Sequence, residues 1–164
     1  MNRRNYYCIL SAIIVLFNII SGCKSSQTIS GEYAMQKFGI ECLGIDHAGN
    51  QTLRTWGNGI NRKKAIEQGV QNAIDAIIFT GIQGNGECDK RPLLNTPNAK
   101  EVFRDYFNKF FDDANNGYGE YVRIEEKSTS RIKSKNSTME LWSCTVIINR
   151  EALRERLLTD GIIR

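Results

Sequence analysis

Thiols and imidazole carry nucleophilic and metal chemistry near neutral pH, and this chain has five cysteines and a single histidine. No Cys-x-x-Cys or His-x-x-x-His pair occurs, so the spacing offers no metal site. Cysteine catalysis needs a base near the sulfur. His47 is the only imidazole, Asp46 beside it is placed to orient the ring, and Cys88 is the thiol with the reach to meet it. A structural reading of the same residues competes with the catalytic one, because Asp in a turn commonly serves its own backbone. Cys8 lies in an N-terminal apolar run and Cys23 at its end, which leaves Cys42, Cys88 and Cys144. Three is an odd number. In an oxidising compartment either one disulfide forms and one thiol stays buried, or all three remain reduced. Cys144 sits on the apolar side of an alternating stretch and reads as core. Cys42 and Cys88 are the candidate disulfide, which would staple a long loop to the first strand.

Other chemistry is fainter. Asp112-Asp113 and Glu125-Glu126 are neighbours in sequence, and in a strand the latter point to opposite faces, so both pairs read as solvated surface. Gly57-Asn58-Gly59 before a helix start bearing Arg62, Lys63 and Lys64 resembles an anion-binding nest. No phosphate-loop or dinucleotide fingerprint follows it, and glycine at such a turn commonly serves backbone freedom. Three cations at a helix N-terminus oppose the helix dipole, which suits them to acidic partners or lipid head groups. No residue set calls for a cofactor.

The elements that must position these groups follow from periodicity. Residues 39 to 46 and 51 to 57 flank the turn-rich His47-Ala48-Gly49-Asn50, a two-strand hairpin with Leu53 and Trp56 on opposite faces. Ile66, Val70, Ala73, Ile74 and Ile77 repeat at helical spacing over 61 to 80, with Asn61 as cap and Gly81 as stop. Ala65, Gly69, Ala73 and Ala76 lie beside that stripe, small enough for close packing on a sheet. Residues 82 to 95 form a long loop. Thr96-Pro97 then opens a second helix marked by Val102, Phe103, Tyr106, Phe107, Phe110 and Phe111. Its aromatic arc is wider than one sheet face needs, so Tyr106, Phe110 and Phe111, with Arg62 and Lys63, form the candidate partner surface. A strand over 118 to 127, running on toward 133, and a second over 138 to 149 follow; the latter alternates Trp142, Cys144, Val146 and Ile148 against Ser143 and Thr145. Asn149 caps a last helix docked by Ala152, Leu153, Leu157 and Leu158. The expected fold is therefore α+β, an antiparallel sheet of about four strands with helices mainly on one face.

The 164 residues allow one domain of ordinary size, and 41% hydrophobic with 24% charged residues is globular composition. Removing residues 1 to 22 takes away Arg3 and Arg4 and no acid, so the net charge of +4 falls to +2. That is not the basic balance of a nucleic-acid binder. Arg3 and Arg4 precede an apolar run from Cys8 to Ile20, the length of a signal-peptide core and short for a spanning helix.

The end of that run, Ile20-Ser21-Gly22-Cys23, resembles the bacterial lipoprotein signal at all four positions. The resemblance implies cleavage between Gly22 and Cys23, a diacylglyceryl group on the Cys23 thiol, and usually acylation of the new amine. Two or three acyl chains hold a protein to a membrane almost permanently. Lys24 follows Cys23 where some bacteria place an inner-membrane retention Asp, and no acidic tract of the kind tied to surface export is present. The expectation is an outer-membrane anchor, with residues 23 to 36 a lipidated flexible tether and residues 37 to 164 one α+β domain facing the periplasm.

A wider resemblance rests on the WGNG strand end (56 to 59), the A-I-E-x-G-V-x-N-A-I helix (65 to 74) and R-E-A-L-x-x-x-L after the last strand (150 to 157). These resemble the small outer-membrane lipoproteins of the LPP type and the N-terminal domain of flagellar assembly protein T, over residues 39 to 158; the hairpin and the 82 to 95 loop depart from the pattern. What this implies is a non-enzymatic binding or assembly module that partners other envelope proteins, an accessory of a secretion, conjugation or motility machine. The alternative expectation is a small envelope enzyme, or a carrier of an apolar ligand, using the loop around Cys88.

Overall fold

The computed structural model describes residues 39–83, 86–112, 117–132 and 138–163. Strands β1 (Glu41–Ile45) and β2 (Gln51–Gly59) form the expected hairpin, with Glu41 opposite Arg54 and Ile45 opposite Gln51. The Asp46 carboxylate closes the turn, accepting the Ala48 and Asn50 backbone N–H groups at 2.9 Å each, and Gly49 supplies a positive φ of 80°. β2 then crosses to the far end of the chain. It pairs antiparallel with β4 (Glu140–Ile148) from Gln51–Ile148 to Gly59–Glu140, and β4 pairs with β3 (Val122–Ile132). The resulting order β1-β2-β4-β3 puts β2 and β4 in the centre, and they are the two most buried strands. The fold is α+β, a four-stranded antiparallel sheet with helices.

Helix α1 (Arg62–Asp75) begins where sequence places it, since Asn61 Oδ1 accepts the Lys64 N–H at 3.0 Å. Its Ala65, Gly69 and Ala73 are buried against β2 and β4. A side chain on Gly57 would overlap the Ala65 carbonyl and Gly69 N–H, and one on Gly59 would overlap the Ala65 N–H. The two strand glycines therefore let the helix lie directly on the sheet. The helix relaxes into a π-turn over Ala76–Thr80 and stops at Gly81, whose φ is 78°. Two carbonyls of this turn, Ile77 and Ile78, accept the N–H groups of Leu93 and Leu94 at 2.8 and 2.9 Å.

The second expected helix is corrected. Thr96 gives no side-chain cap; the chain passes through Asn98 in the left-handed region and forms two short pieces, α2 (Ala99–Val102) and α3 (Arg104–Phe110), broken at Phe103. The break resets the helical phase, so Val102 faces solvent at 63% exposure while Ala99, Phe107 and Phe110 are buried. The strand expected from residue 118 starts at Val122, after a 3-10 turn over Gly119–Tyr121. Ser143 and Thr145, expected on a polar face, are buried because β4 is central and the irregular part of β3 covers them: Ser143 Oγ donates to the Ser130 carbonyl and Ser128 Oγ accepts the Thr145 N–H. Helix α4 (Arg150–Thr159) is capped by Asn149 Oδ1 on the Ala152 N–H and buries Leu153 and Leu157.

One core joins these parts: Leu53, Val146 and Ile148 from the sheet, Val70, Ile74 and Ile77 from α1, Phe107 and Phe110 from α3, and Leu153 and Leu157 from α4. The long loop is tied down at both sides. Cys42 and Cys88 are disulfide-bonded with Cα atoms 5.9 Å apart, and Asp89 pairs with the largely buried Arg150 at 3.2 Å.

Candidate functional site

Helix α1 lies over β2 and β4, and among the described residues no helix lies over the same face of the edge strand β3. The gap between them is an open groove of about 980 Å³. The spacing of α1 points Arg62, Lys63, Ile66, Glu67 and Val70 into it. From the strand come Val122 and Ile124, which stand opposite Ile148 and Val146 in the ladder and so share the core-facing side. Tyr118 and Gly119 close one end, Glu126 and Thr129 the other. The floor is apolar and the rim is charged.

The rim is held in place locally. Arg62 donates to Thr129 Oγ1 at 2.9 Å, and its guanidinium carbon stands 5.4 Å from the centre of the Trp142 ring, a cation–π contact that fixes the side chain across the sheet end. Glu67 draws in both Lys63 at 3.8 Å and Lys64 at 2.8 Å, which offsets two of the three cations that oppose the helix dipole. Such a groove can take an apolar side chain or a short extended segment of a partner, with charges to fix its orientation.

The residues singled out from sequence scatter. Cys88 is 6% exposed and its sulfur is in the disulfide, so it is no nucleophile, while His47 sits exposed in the β1–β2 turn. Asp46 serves the turn rather than the imidazole; bonding from Asn50 above all, then Ala48, holds its carboxyl below the usual range. Cys144 is buried and reduced, its thiol pushed up to about 11 by burial. Gly57 and Gly59 lie within β2 in helix-to-sheet contact, so no phosphate nest forms there. Glu126 lines the groove whereas Glu125 pairs with Thr145, which separates those two acids.

The candidate partner surface divides. Arg62 and Lys63 line the groove, but Phe110 is 5% exposed and belongs to the core. Tyr106 leans the other way, donating its hydroxyl to Asp160 at 2.7 Å. Phe111 borders a separate depression with Phe79 and Lys100. An aromatic arc wide enough for two faces turns out to be needed by one core, because Phe107, Phe110, Phe111 and Tyr118 pack on one another. Sequence reasoning missed the strand half of the groove. The Val122/Ile124 alternation was visible, but only the strand order makes β3 an edge.

Gly22 and Cys23 lie outside the described residues, as does Asp113. Among the described residues no cluster of His, Cys, Asp and Glu forms a metal cage, and no helix is long and apolar enough to cross a membrane. Compared with known proteins, the chain matches no family model, no curated protein and no solved structure.

Proposed function

We propose that this protein is an outer-membrane lipoprotein, anchored through Cys23, whose α+β domain is a non-enzymatic binding and assembly module on the periplasmic side, serving as an accessory of an envelope-spanning secretion, conjugation or motility machine. The observation that carries the binding role is the α1–β3 groove: an apolar floor of Ile66, Val70, Val122 and Ile124 under a rim fixed by Arg62 and Glu67. The Cys42–Cys88 disulfide supports the compartment, because such bonds persist outside the reducing cytosol. The Ile20-Ser21-Gly22-Cys23 sequence supports the anchor and the export route. Tethering then raises the local concentration of the groove near other envelope proteins.

The test is site-specific photocrosslinking of the full chain in its native membrane, with the probe at position 124 in the groove or at the exposed position 102 away from it. The expected result is a discrete protein adduct at 124, absent at 102 and lost with Ile66→Asp, on a protein whose Cys23 peptide carries acyl chains. An unacylated Cys23 removes the anchor, adducts equal at both positions remove the groove, and substrate turnover by the purified full-length protein replaces this reading with the enzymatic one.

A further inference from the structure

Leu43 and Ile45 expose apolar side chains on β1, but the other end of the sheet combines such side chains with a group of cations. The last β2–β4 ladder pair is Gly59 with Glu140, and the residues just beyond it, Ile60 after Gly59 and Met139 before Glu140, are 75% and 46% exposed. Two large apolar side chains thus project from one sheet end. Around them stand Arg62 and Lys63 in the first turn of α1, with the Lys63 side chain 83% exposed, and Arg131 near the end of β3, 56% exposed. Lys64 adds a fourth cation. Three acids stand near these four cations: Glu67 is shared by Lys63 and Lys64, Glu140 takes Arg131 at 3.0 Å, and Glu126 lines the same end of the groove, which leaves a surplus of one positive charge. Arg62 rests on Thr129 and Trp142 instead of a carboxylate. Exposed apolar tips ringed by a net positive charge match the layered chemistry of an anionic membrane surface, where head groups pair with cations and apolar tips reach the acyl boundary.

Strand direction places the same end on the side from which the chain arrives. β1 runs from Glu41, opposite Arg54, toward Ile45, opposite Gln51, so its start is the end nearer Gly59. Gly39 and Ile40 carry the backbone further that way and line a depression with Trp56, about three residues, or roughly 10 Å, from Gly59 along β2. We infer that the Ile60–Met139 end of the sheet, with Arg62, Lys63 and Arg131, is a lipid-contact surface that seats the domain against the anionic membrane to which Cys23 ties it. This rests on the anchor proposed above, and extends it from a tether to an orientation: the groove then lies beside the bilayer with its Tyr118 end facing away.

The test uses the full-length acylated protein reconstituted in vesicles of phosphatidylethanolamine with phosphatidylglycerol, carrying a photoactivatable residue at position 60 or, at the opposite sheet end, at position 45, which is 44% exposed. The expected result is a lipid adduct at 60 well above that at 45. Lys63→Gln should lower it about fivefold, the weight of one cation near an anionic surface. Circular dichroism confirms that each variant is folded. Equal lipid adducts at 60 and 45, or protein adducts alone at 60, overturn the inference. Mass spectrometry of the Cys23 peptide in the same samples separates the two readings. An acylated protein unlabelled at 60 loses this contact and keeps the anchor; a bare Cys23 with labelling at 60 does the reverse.

Discussion

Gly57 of β2 lies directly beneath Ala65 of α1, so close that any side chain at position 57 would collide with the Ala65 carbonyl oxygen. Backbone is on both sides of the contact, so relaxation means moving a helix off its sheet. Gly57→Ala should therefore destabilise by about 3 kcal/mol, the upper end for overpacking, whereas exposed Arg54→Ala should cost under about 0.5 kcal/mol. Urea denaturation of both variants checks the contrast; equal midpoints would mean that the helix does not rest on the strand as described.

The disulfide closes a 46-residue separation and holds the long loop on β1. Cys88→Ser or reduction should lower stability by about 2 to 5 kcal/mol. Thermal melts with and without reductant measure it. Limited proteolysis should then cut first within residues 82 to 95, and a cut elsewhere would place the weak point outside the staple.

Cys144 gives the opposite thiol behaviour. With its pKa near 11, the native thiol carries little thiolate at pH 8 and is enclosed by Thr55, Gly69 and the α1 backbone side. Iodoacetamide should modify the Cys144 peptide about 100-fold more slowly in the native protein than in denaturant. Fast native labelling would show that the strand core opens readily.

Tyr106, Asp160 and Arg156 join α3 to the end of α4, Asp160 accepting from Tyr106 at 2.7 Å and Arg156 at 2.6 Å. Burial opposes ionisation of Asp160, yet hydrogen bonds from Arg156 and Tyr106 hold its carboxyl below the ordinary value. Its contribution is therefore present above the unfolded pKa and lost as pH falls through the folded one. Burial first, then Asp160, pushes the Tyr106 phenol up, so that contribution is present below about pH 10 and lost as pH rises beyond it. Stability against pH should fall at both extremes. Asp160→Asn should flatten the acid arm and Tyr106→Phe the alkaline arm, read from urea midpoints across pH; unchanged arms would detach the cluster from stability.

Much of this fold is written locally. The Asn61 and Asn149 caps, the α1 stripe and the Asp46 turn each depend on residues within a few positions, and sequence places them accurately. What escapes is settled by distant partners. The π-turn at Ala76–Thr80 has two carbonyls taken by Leu93 and Leu94, and Ser143 becomes interior through β3. Phe110 is a core residue because Tyr118 and Phe107 surround it, not because of its own spacing. The groove belongs to the same class: Arg62 and Lys63 stood out as cations, but Val122 and Ile124 acquire meaning only from the edge position of β3.

The central ladder joins Gln51 to Ile148, the early part of the domain to its late part. A ribosome makes β4 after nearly everything else, so the β1–β2 hairpin and α1 leave it without the central strand on which the core closes. Pairing at such separation is also slow, because the loop must be ordered before any contact rewards it. For most of its synthesis the chain therefore lacks the one strand that both halves of its sheet need to enclose an interior.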